Sequence, residues 1–258
     1  MTGWADAVRD IAATDTLLVA LDFDGTLSHL SDRPLEVRAL PESAAAVQRL
    51  SELPRTTVAF VSGRQLADLR VIGEHTDDSR IWLSGSHGAE HWRPEGVPPV
   101  AEDEPDPADG TLAAELVAAA EAAVDGIEGA WIEHKAYGFA VHTRLADDAG
   151  TSLANERVDA LVAERAPGWR RRLAKDLIEY AWRHEGKDSA IARLRDETGA
   201  TAVLFAGDDV TDEDALRSLR PGDLGVRVGD GETAAAVRVA DPLELADLLI
   251  ALADARAS

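Results

Sequence analysis

The sequence predicts an α/β protein in which a doubly wound parallel sheet forms the core and an α+β domain is inserted into it. Three short apolar runs, at 17–22, 57–61 and 81–85, alternate with helical patterns at 41–53 and at about 64–71. Alternation of strands and helices at this spacing is typical of doubly wound sheets. The run at 17–22 is apolar almost throughout, which indicates a parallel strand buried on both faces.

The same alternation returns in the last third of the chain. After residue 181 the patterns predict helices at 187–199, 211–219 and 242–254, and strands at 201–206, 224–228 and 236–239. The two ends of the chain therefore predict one core domain, made of residues 1–104 together with residues 182–258.

The middle of the chain has a different pattern, which predicts a cap domain at residues 105–181. A stretch rich in proline and acidic residues at 94–110 indicates a linker or flap. The residues beyond it predict an αββαββ order, which consists of a helix at 111–124, a hairpin of 130–134 with 138–144, a helix at about 152–165 and a hairpin through 169–180.

Composition narrows the classes of partner and the compartment. The formal net charge of −22 over 258 residues repels nucleic acid and anionic membranes, so we expect neither as a partner. No apolar run reaches the roughly 18 residues of a membrane span, and the first residues lack the pattern of a signal peptide. The absence of cysteine excludes disulfides and thiolate chemistry. We therefore expect a cytoplasmic protein, and we expect it to be a monomer.

A pair of carboxylates follows the first predicted strand. The motif Asp22-Phe23-Asp24-Gly25-Thr26 begins where that strand ends, and ligands of open α/β sheets bind beside the carboxyl ends of the strands. Two carboxylates at this spacing suit a hard cation such as Mg²⁺, or a nucleophile with an acid/base partner. The alternative is a turn between strand and helix whose acidic residues are solvated.

A second acidic cluster, Gly207-Asp208-Asp209-Val210-Thr211-Asp212-Glu213-Asp214, follows the strand predicted at 201–206. Thr211 is predicted to be a helix N-cap, and acidic residues in the first turn favour the helix dipole. This role is sufficient for Glu213 and Asp214, but not for Asp208, which precedes the cap. We predict Asp208 to be a metal ligand, with Asp212 holding a metal-bound water.

Two further motifs supply donors for an anion. In Ser62-Gly63-Arg64, after the second predicted strand, a hydroxyl and backbone N–H groups can bind phosphate, and an N-cap role for Ser62 is the alternative. Lys187 begins the helix predicted at 187–199, and it is one of only three lysines among 26 basic residues. This position and rarity favour a phosphate-binding point charge over an ordinary surface lysine.

In this order, DFDGT, SGR, GKDSA and GDDVTDED resemble the motifs of phosphatases of the haloacid dehalogenase (HAD) superfamily. The resemblance implies a HAD-like core, with Asp22 as the nucleophile and Asp24 as the general acid/base. It implies that Ser62 and Lys187 bind the phosphoryl oxygens. The ligands that it implies for Mg²⁺ are Asp22, the backbone carbonyl of Asp24, and Asp208, with Asp212 in support.

Within that superfamily the chain is similar to trehalose-6-phosphate phosphatases. The matching residues are Gly85-Ser86-His87-Gly88-Ala89-Glu90, Glu133-His134-Lys135, His142-Thr143-Arg144 and Glu179. The resemblance implies that the substrate contacts Thr26, Gly63, Arg64, His87, Glu133, Lys135, His142, Arg144 and Glu179. A period of two places Glu133 with Lys135 on one face of their strand, and His142 with Arg144 on one face of the next. An ordinary hairpin with cross-strand ion pairs is the alternative.

The resemblance implies a Mg²⁺-dependent phosphatase that hydrolyses trehalose 6-phosphate to trehalose and phosphate through an aspartyl-phosphate. Ala181-Trp182 and Asp188 depart from the family pattern, which often has Arg-Pro and glycine at these places. Two alternatives stay open. One is an enzyme for another sugar phosphate, such as a sucrose-type or glucosylglycerate-type phosphatase or a phosphomannomutase. The other is a non-catalytic module that senses a sugar phosphate.

Overall fold

The computed structural model describes residues 3–98, 107–174 and 176–257. The chain divides into two compact units, of which the first is Met1–Val100 with Glu185–Ser258 and the second is Ala101–His184. The domain limits of the sequence analysis, 105 and 181, stay a prediction. In the part of the chain that is described, no helix is long and apolar enough to cross a membrane.

The described helices and strands follow one another in an order that alternates in the first unit. The helices are α1 (Ala5–Ala12), α2 (Pro41–Glu52), α3 (Leu66–Ile72), α4 (Pro107–Val124), α5 (Asp148–Arg165), α6 (Lys187–Thr198), α7 (Asp212–Ser218) and α8 (Pro242–Ala257). The strands are β1 (Leu17–Leu21), β2 (Thr56–Val61), β3 (Trp82–Gly85), β4 (Glu90–Trp92), β5 (Trp131–Lys135), β6 (Gly138–His142), β7 (Arg170–Ala174), β8 (Leu177–Ala181), β9 (Ala202–Gly207), β10 (Leu224–Val228) and β11 (Val237–Val239).

The first unit is built on a seven-stranded sheet in the order β11-β10-β9-β1-β2-β3-β4. Every neighbouring pair is parallel except β3 with β4. Leu17, Val19 and Leu21 of β1 pack into one apolar cluster, while Leu18 and Ala20 pack into another. Both faces of the central strand are therefore covered, which explains its continuous apolar sequence and confirms the predicted doubly wound α/β fold.

The order of the strands fixes where a ligand site can form. From β1 the chain continues outward to β2 and β3 on one side, whereas β9 pairs with β1 on the other side. This reversal is a topological switch point, where the loops after neighbouring strands diverge and leave a crevice at the carboxyl ends. Asp22 directly follows β1, and Asp208 directly follows β9.

The second unit is a four-stranded antiparallel sheet in the order β5-β6-β8-β7, with two helices. Phe139, Val141, Ile178 and Tyr180 share a cluster with apolar residues of α4 and α5, so the helices cover that face of the sheet. The residues of β5, β6 and β8 that alternate with this apolar set belong to the other face, which includes the predicted sugar-contacting residues of these strands.

Several elements differ from the patterns in the sequence. Helix α1 and the short antiparallel strand β4 are not predicted; the sequence of β4, Glu-His-Trp, contains no apolar run that would indicate a strand. Helix α5 begins at Asp148, earlier than predicted, because the Asp147 side chain accepts a hydrogen bond from Gly150 N at 2.7 Å and caps it. Of the predicted linker, residues 99–106 lie outside the described residues, and α4 already begins at Pro107.

Candidate active site

Lys187 lies between two buried carboxylates at the switch point. Its Nζ is 2.8 Å from Asp22 Oδ1 and 2.6 Å from Asp212 Oδ1. Lys187 is the first residue of α6 and Asp212 the first of α7, so the starts of two helices meet the end of β1 here. The exposed fraction of Lys187 is 4%, which contradicts the alternative of an ordinary surface lysine.

The charges at this centre do not balance, because three carboxylates share one ammonium group. Burial raises the pKa of Asp22 well above its ordinary value; Lys187 lowers it, and Asp212 and Asp208 raise it again. Burial, and then the charge of Asp212, raises the pKa of Asp208 to about 6. For Lys187, burial lowers the pKa, but the carboxylates of Asp212 and Asp22 outweigh it and raise the pKa. The ammonium group is therefore charged, and its single positive charge does not neutralise the three carboxylates.

Asp208 is positioned by the turn that follows Asp24. Gly25 has a φ of +74°, and a Cβ at that residue would lie 2.0 Å from Asp208 Oδ2, so only glycine fits against this carboxylate. The buried Thr26 Oγ1 donates a hydrogen bond to Asp208 Oδ1 at 3.2 Å. In the described contacts, Thr26 therefore orients a carboxylate; its predicted contact with the substrate stays a prediction.

Asp212 holds the loop between β9 and α7. Its Oδ2 accepts hydrogen bonds from the backbone N–H groups of Asp208 and Asp209, while Oδ1 binds Lys187. Thr211 is the N-cap residue, as predicted, but its side chain makes no capping hydrogen bond. Asp212 is fully buried, and these bonds fit the supporting role that the resemblance implies for it.

The carboxylates fit a divalent cation. Asp22, Asp208 and Asp212 each offer an oxygen, and these oxygens all lie within 4.8 Å of one another. Burial is the first cause of the raised pKa values of Asp22 and Asp208, repulsion between the carboxylates adds to it, and a bound cation would favour the ionised forms. A donor set made only of oxygen atoms is the one that Mg²⁺ prefers, so these residues could hold the predicted metal.

Arg64 binds the second acid of the first motif. Its Nε and Nη2 donate hydrogen bonds to the two oxygens of Asp24, both at 2.6 Å. Ser62 Oγ accepts a hydrogen bond from Arg64 N at 3.1 Å. Helix α3 begins at Leu66 with Gln65 as its N-cap, so the alternative in which Ser62 caps this helix is wrong. In the described contacts Arg64 binds Asp24, and its predicted contact with the substrate stays a prediction.

Gly63 and His87 lie against each other. A Cβ at Gly63 would be 2.7 Å from His87 Cε1, and the His87 side chain is largely buried. His87 and the preceding Ser86 both adopt left-handed backbone conformations, with φ of 57° and 47°. Residues other than glycine rarely adopt this conformation, and it is concentrated at functional sites.

A second polar cluster lies on the sheet of the second unit. Glu133 Oε1 accepts a hydrogen bond from Lys135 Nζ at 2.7 Å, and Glu133 Oε2 accepts one from His142 Nε2 at 2.7 Å. Burial raises the pKa of Glu133, but the hydrogen bonds and charges of His142 and Lys135 lower it to about 2. The Trp131 ring stacks on His142 with centroids 4.6 Å apart. Trp131 was missed, although the period of two places it with Glu133.

Glu179 continues the same row of the sheet. The register aligns Glu133 with Ala140, Ala140 with Glu179, and Glu179 with Arg172. Arg172 Nη1 donates a hydrogen bond to Glu179 Oε1 at 2.8 Å. This arginine is not among the predicted site residues, because it faces Glu179 only through the strand register.

Arg144 is not placed as predicted. Strand β6 ends at His142, and Arg144 lies in the turn that follows, where Ala146 N bonds to Thr143 O at 2.9 Å. The period of two therefore stops before Arg144, and the shared face predicted for His142 and Arg144 is wrong.

Glu213 also has a further role that was missed. Its Oε2 accepts a hydrogen bond from Ala234 N at 2.9 Å, and its Oε1 is 3.6 Å from Arg227 Nη1. Arg227 Nη1 in turn donates to Asp209 O at 2.9 Å. Glu213 therefore supports the acidic loop through Arg227, in addition to favouring the helix dipole. Only the tertiary structure brings residues this far apart in the chain together.

Comparison with known proteins identifies the family of the chain. The trehalose-phosphatase family model matches residues 20–243. The chain belongs to the trehalose-phosphatase family. Among curated relatives, a trehalose-phosphate phosphatase of Mycobacterium leprae is 34% identical to this chain over 249 residues, which cover 87% of the chain. The chain spans 54% of that relative's length.

Solved structures show the same fold. The C-terminal domain of trehalose-6-phosphate phosphatase from C. albicans matches this member of the family with a TM-score of 0.80, at 20% identity and 98% coverage of both chains. A haloacid dehalogenase-like hydrolase from B. subtilis matches with a TM-score of 0.60, at 16% identity, over 91% of this chain and 98% of its own. The chain therefore has the predicted HAD-like fold.

Proposed function

We propose that this chain is a Mg²⁺-dependent phosphatase that hydrolyses trehalose 6-phosphate to trehalose and phosphate through an aspartyl-phosphate. The observation that carries the proposal is the buried centre in which Lys187 lies between Asp22 and Asp212, in a chain of the trehalose-phosphatase family. A centre with one ammonium group and three carboxylates suits a cation and a phosphoryl group together, because each supplies the charge that the other lacks.

In the first step, Asp22 attacks the phosphorus atom in line with the bond to the sugar. A P–O bond to Asp22 forms and the P–O bond to the sugar breaks, while the proton of the Asp24 carboxylic acid moves to the departing sugar oxygen and leaves Asp24 ionised. Lys187 fixes the orientation of the Asp22 carboxylate through its 2.8 Å contact with Oδ1. Arg64 fixes the Asp24 carboxylate through two hydrogen bonds.

In the second step, water hydrolyses the aspartyl-phosphate. Asp24 accepts a proton from the water, whose oxygen attacks phosphorus, and the bond between Asp22 and phosphorus breaks. Lys187 and the hydroxyl of Ser62 stabilise negative charge on the phosphoryl oxygens during both steps. Mg²⁺ would be held by Asp22, Asp208 and the backbone carbonyl of Asp24, with Asp212 in support. It would supply positive charge that offsets the negative charge of the phosphoryl oxygens.

The polar cluster of the second unit is proposed to select the sugar. Glu133 stays ionised because its pKa lies near 2, and Lys135 and His142 hold both of its oxygens in place. An ionised carboxylate accepts hydrogen bonds from several sugar hydroxyls, and Glu179 provides a second side chain with acceptor oxygens in the same row of the sheet. A site built from such acceptors rejects ligands that lack the hydroxyls.

The test is release of inorganic phosphate across a panel of phosphosugars with Mg²⁺. The panel contains trehalose 6-phosphate, sucrose 6-phosphate, glucosyl-3-phosphoglycerate, glucose 6-phosphate and mannose 6-phosphate. We expect the highest kcat/KM on trehalose 6-phosphate. A preference for another phosphosugar would contradict the proposed substrate and leave the chemistry of the core standing. No release from any of them would contradict the proposed phosphatase activity.

A further inference from the structure

The motif Gly85-Ser86-His87-Gly88-Ala89-Glu90 follows β3, and the proposed chemistry gives it no role apart from the predicted contact of His87. We infer that Ser86, His87 and Glu90 form a brace that positions the Ser62–Arg64 loop for catalysis. The inference rests on the proposed function, because that loop carries Ser62 and Arg64. It adds positioning residues to that function and assigns none of them to the reacting atoms.

Backbone hydrogen bonds join the brace to both ends of the loop. Ser86 N donates to Arg64 O at 2.6 Å, and His87 N donates to Ser62 O at 2.9 Å. Between these two points the His87 ring lies against Gly63, where no Cβ would fit. All three residues of the loop are therefore contacted from one short segment.

Glu90 connects the brace to the start of α3. Its Oε2 accepts a hydrogen bond from Leu66 N at 3.0 Å and another from Ser86 Oγ at 2.5 Å. The first bond satisfies an N–H group at the helix start that the N-cap residue Gln65 leaves without a side-chain cap. The second joins Glu90 to Ser86 within the brace. One oxygen atom thus links the end of the loop to Ser86.

Gly88, which follows His87 of the brace, contacts helix α6, which carries Lys187. A Cβ at Gly88 would lie 3.1 Å from Gly186 O and 3.0 Å from Ala190 Cβ, so the backbone of Gly88 packs on the first turn of α6. The loop with Ser62 and the helix with Lys187 are therefore held against the same segment. The left-handed conformations of Ser86 and His87 cost free energy, and a positioning role accounts for their presence.

The brace affects the position of the catalytic groups through Arg64. Its backbone carbonyl is held by Ser86, and its guanidinium group holds both oxygens of Asp24. A shift of the loop therefore displaces the Ser62 hydroxyl and the Asp24 carboxylate together. Misplacement of catalytic groups by about 1 Å can cost about 100-fold in rate.

Substitution of Glu90 tests the brace. Glu90→Ala is expected to lower kcat on trehalose 6-phosphate by about 10- to 100-fold and to raise the inhibition constant of inorganic phosphate, because Ser62 moves. The Mg²⁺ concentration for half-maximal activity is expected to stay the same, since the brace acts through Arg64 on the carboxylate of Asp24 and not on its backbone carbonyl. Glu90→Gln is expected to restore most of the activity, because an amide oxygen can accept both hydrogen bonds. Glu42→Ala, at an exposed residue of α2, is the control and is expected to change nothing.

Each outcome separates the brace from a general loss of folded protein. Partial unfolding would lower kcat without changing the inhibition constant of phosphate. If Glu90→Ala does not fold, Ser86→Ala carries the test; it removes one hydrogen bond to Glu90 and is expected to lower kcat about 2- to 10-fold. A glutamine variant as impaired as the alanine variant, or variants of Glu90 and Ser86 with wild-type kcat and phosphate inhibition, would overturn the brace. A wild-type protein without any phosphatase activity would overturn the proposed function and the brace's role with it.

Discussion

The two polar clusters of this chain use the same kinds of side chain with opposite electrostatic results. In the core, Lys187 faces three carboxylates, and the pKa values of Asp22 and Asp208 are raised. In the second unit, Lys135 and His142 face one carboxylate, and the pKa of Glu133 is lowered to about 2. Burial raises the carboxylate pKa values in both clusters. Two donors to one carboxylate outweigh it at Glu133, whereas one ammonium group shared by three carboxylates does not outweigh it in the core. The first cluster needs a further positive charge, whereas the second is complete as it stands.

This comparison assigns different tasks to the two clusters. A centre that lacks positive charge is suited to a cation and to chemistry at a phosphoryl group. A balanced carboxylate, held by two donors, is suited to accepting hydrogen bonds from a neutral ligand. Substitutions in the core should therefore affect every substrate, and substitutions in the second unit should affect only substrates with the correct sugar.

The largest effect is expected at Asp22. Asp22→Asn should lower kcat by about 10⁴-fold or more on every substrate, because the amide cannot form the aspartyl-phosphate. The fold should persist, since the substitution removes a buried charge from a crowded site. Phosphate release and circular dichroism, measured on the same preparation, check both statements. Turnover at the wild-type rate would refute the proposed nucleophile.

The next largest effect is expected at Lys187. Lys187→Ala should lower kcat/KM by about 100- to 1000-fold, the cost of losing one oriented donor to a transition state. Lys187→Arg should be impaired as well, because the buried space between Asp22 and Asp212 holds a compact ammonium group rather than a planar fork. Both variants are assayed with trehalose 6-phosphate. An arginine variant with full activity would show that a point charge is not required.

Replacement of Glu133 should separate the clusters. Glu133→Ala is expected to lower kcat/KM on trehalose 6-phosphate by about 10- to 100-fold, and to leave hydrolysis of para-nitrophenyl phosphate nearly unchanged because that substrate lacks the sugar. Glu179→Ala should behave in the same way, and Glu128→Ala, at an exposed residue of the same unit, serves as the control. Equal losses on the two substrates would mean that these residues only stabilise the second unit.

The sequence foresaw the core cluster better than the cluster of the second unit, for physical reasons. Asp22, Asp208 and Lys187 follow strand ends or begin helices, and the topology of a parallel sheet brings such positions together. The link between Arg64 and Asp24 could not be foreseen in this way, because it depends on the direction of two side chains. The strand register that aligns Arg172 with Glu179 carries no local signal, and the end of β6 at His142 removed Arg144 from the predicted face.

A thermal measurement sharpens the contrast in charge. The pKa of Asp208 in the fold, about 6, is above the ordinary value of 3.8, so its ionisation destabilises the metal-free fold as the pH rises through this range. At pH 7 in excess chelator, Asp208→Asn should therefore raise the melting temperature, by roughly 2–4 °C for about each 1 kcal/mol gained. Calorimetry with and without Mg²⁺ measures this shift.

With added Mg²⁺ the wild-type protein, rather than Asp208→Asn, should have the higher melting temperature. At about 100 times its dissociation constant, Mg²⁺ should stabilise the wild-type protein by about 2.7 kcal/mol, and it should stabilise Asp208→Asn much less. Asp214→Asn, at an exposed acid of α7, should behave like the wild type. The chelator should also abolish turnover, and Mg²⁺ should restore it. Undiminished hydrolysis in excess chelator, or an equal Mg²⁺ shift in Asp208→Asn, would contradict the proposed metal site.

The smallest effect concerns the stability that Glu133 contributes at low pH. Its pKa in the fold, about 2, is below the ordinary value of 4.5, so its contribution is fully present above about pH 5 and is lost as the pH falls toward 2. Because the Glu133 side chain is 39% exposed, solvent screening should keep the contribution below about 1 kcal/mol. Urea unfolding of the wild type and of Glu133→Gln should therefore show a stability difference at pH 6 that shrinks between pH 5 and pH 3, with Glu128→Gln as the control. A difference that stays constant over this range would show that the hydrogen bonds of Glu133 contribute through packing rather than charge, and the contrast between the two clusters would then fail.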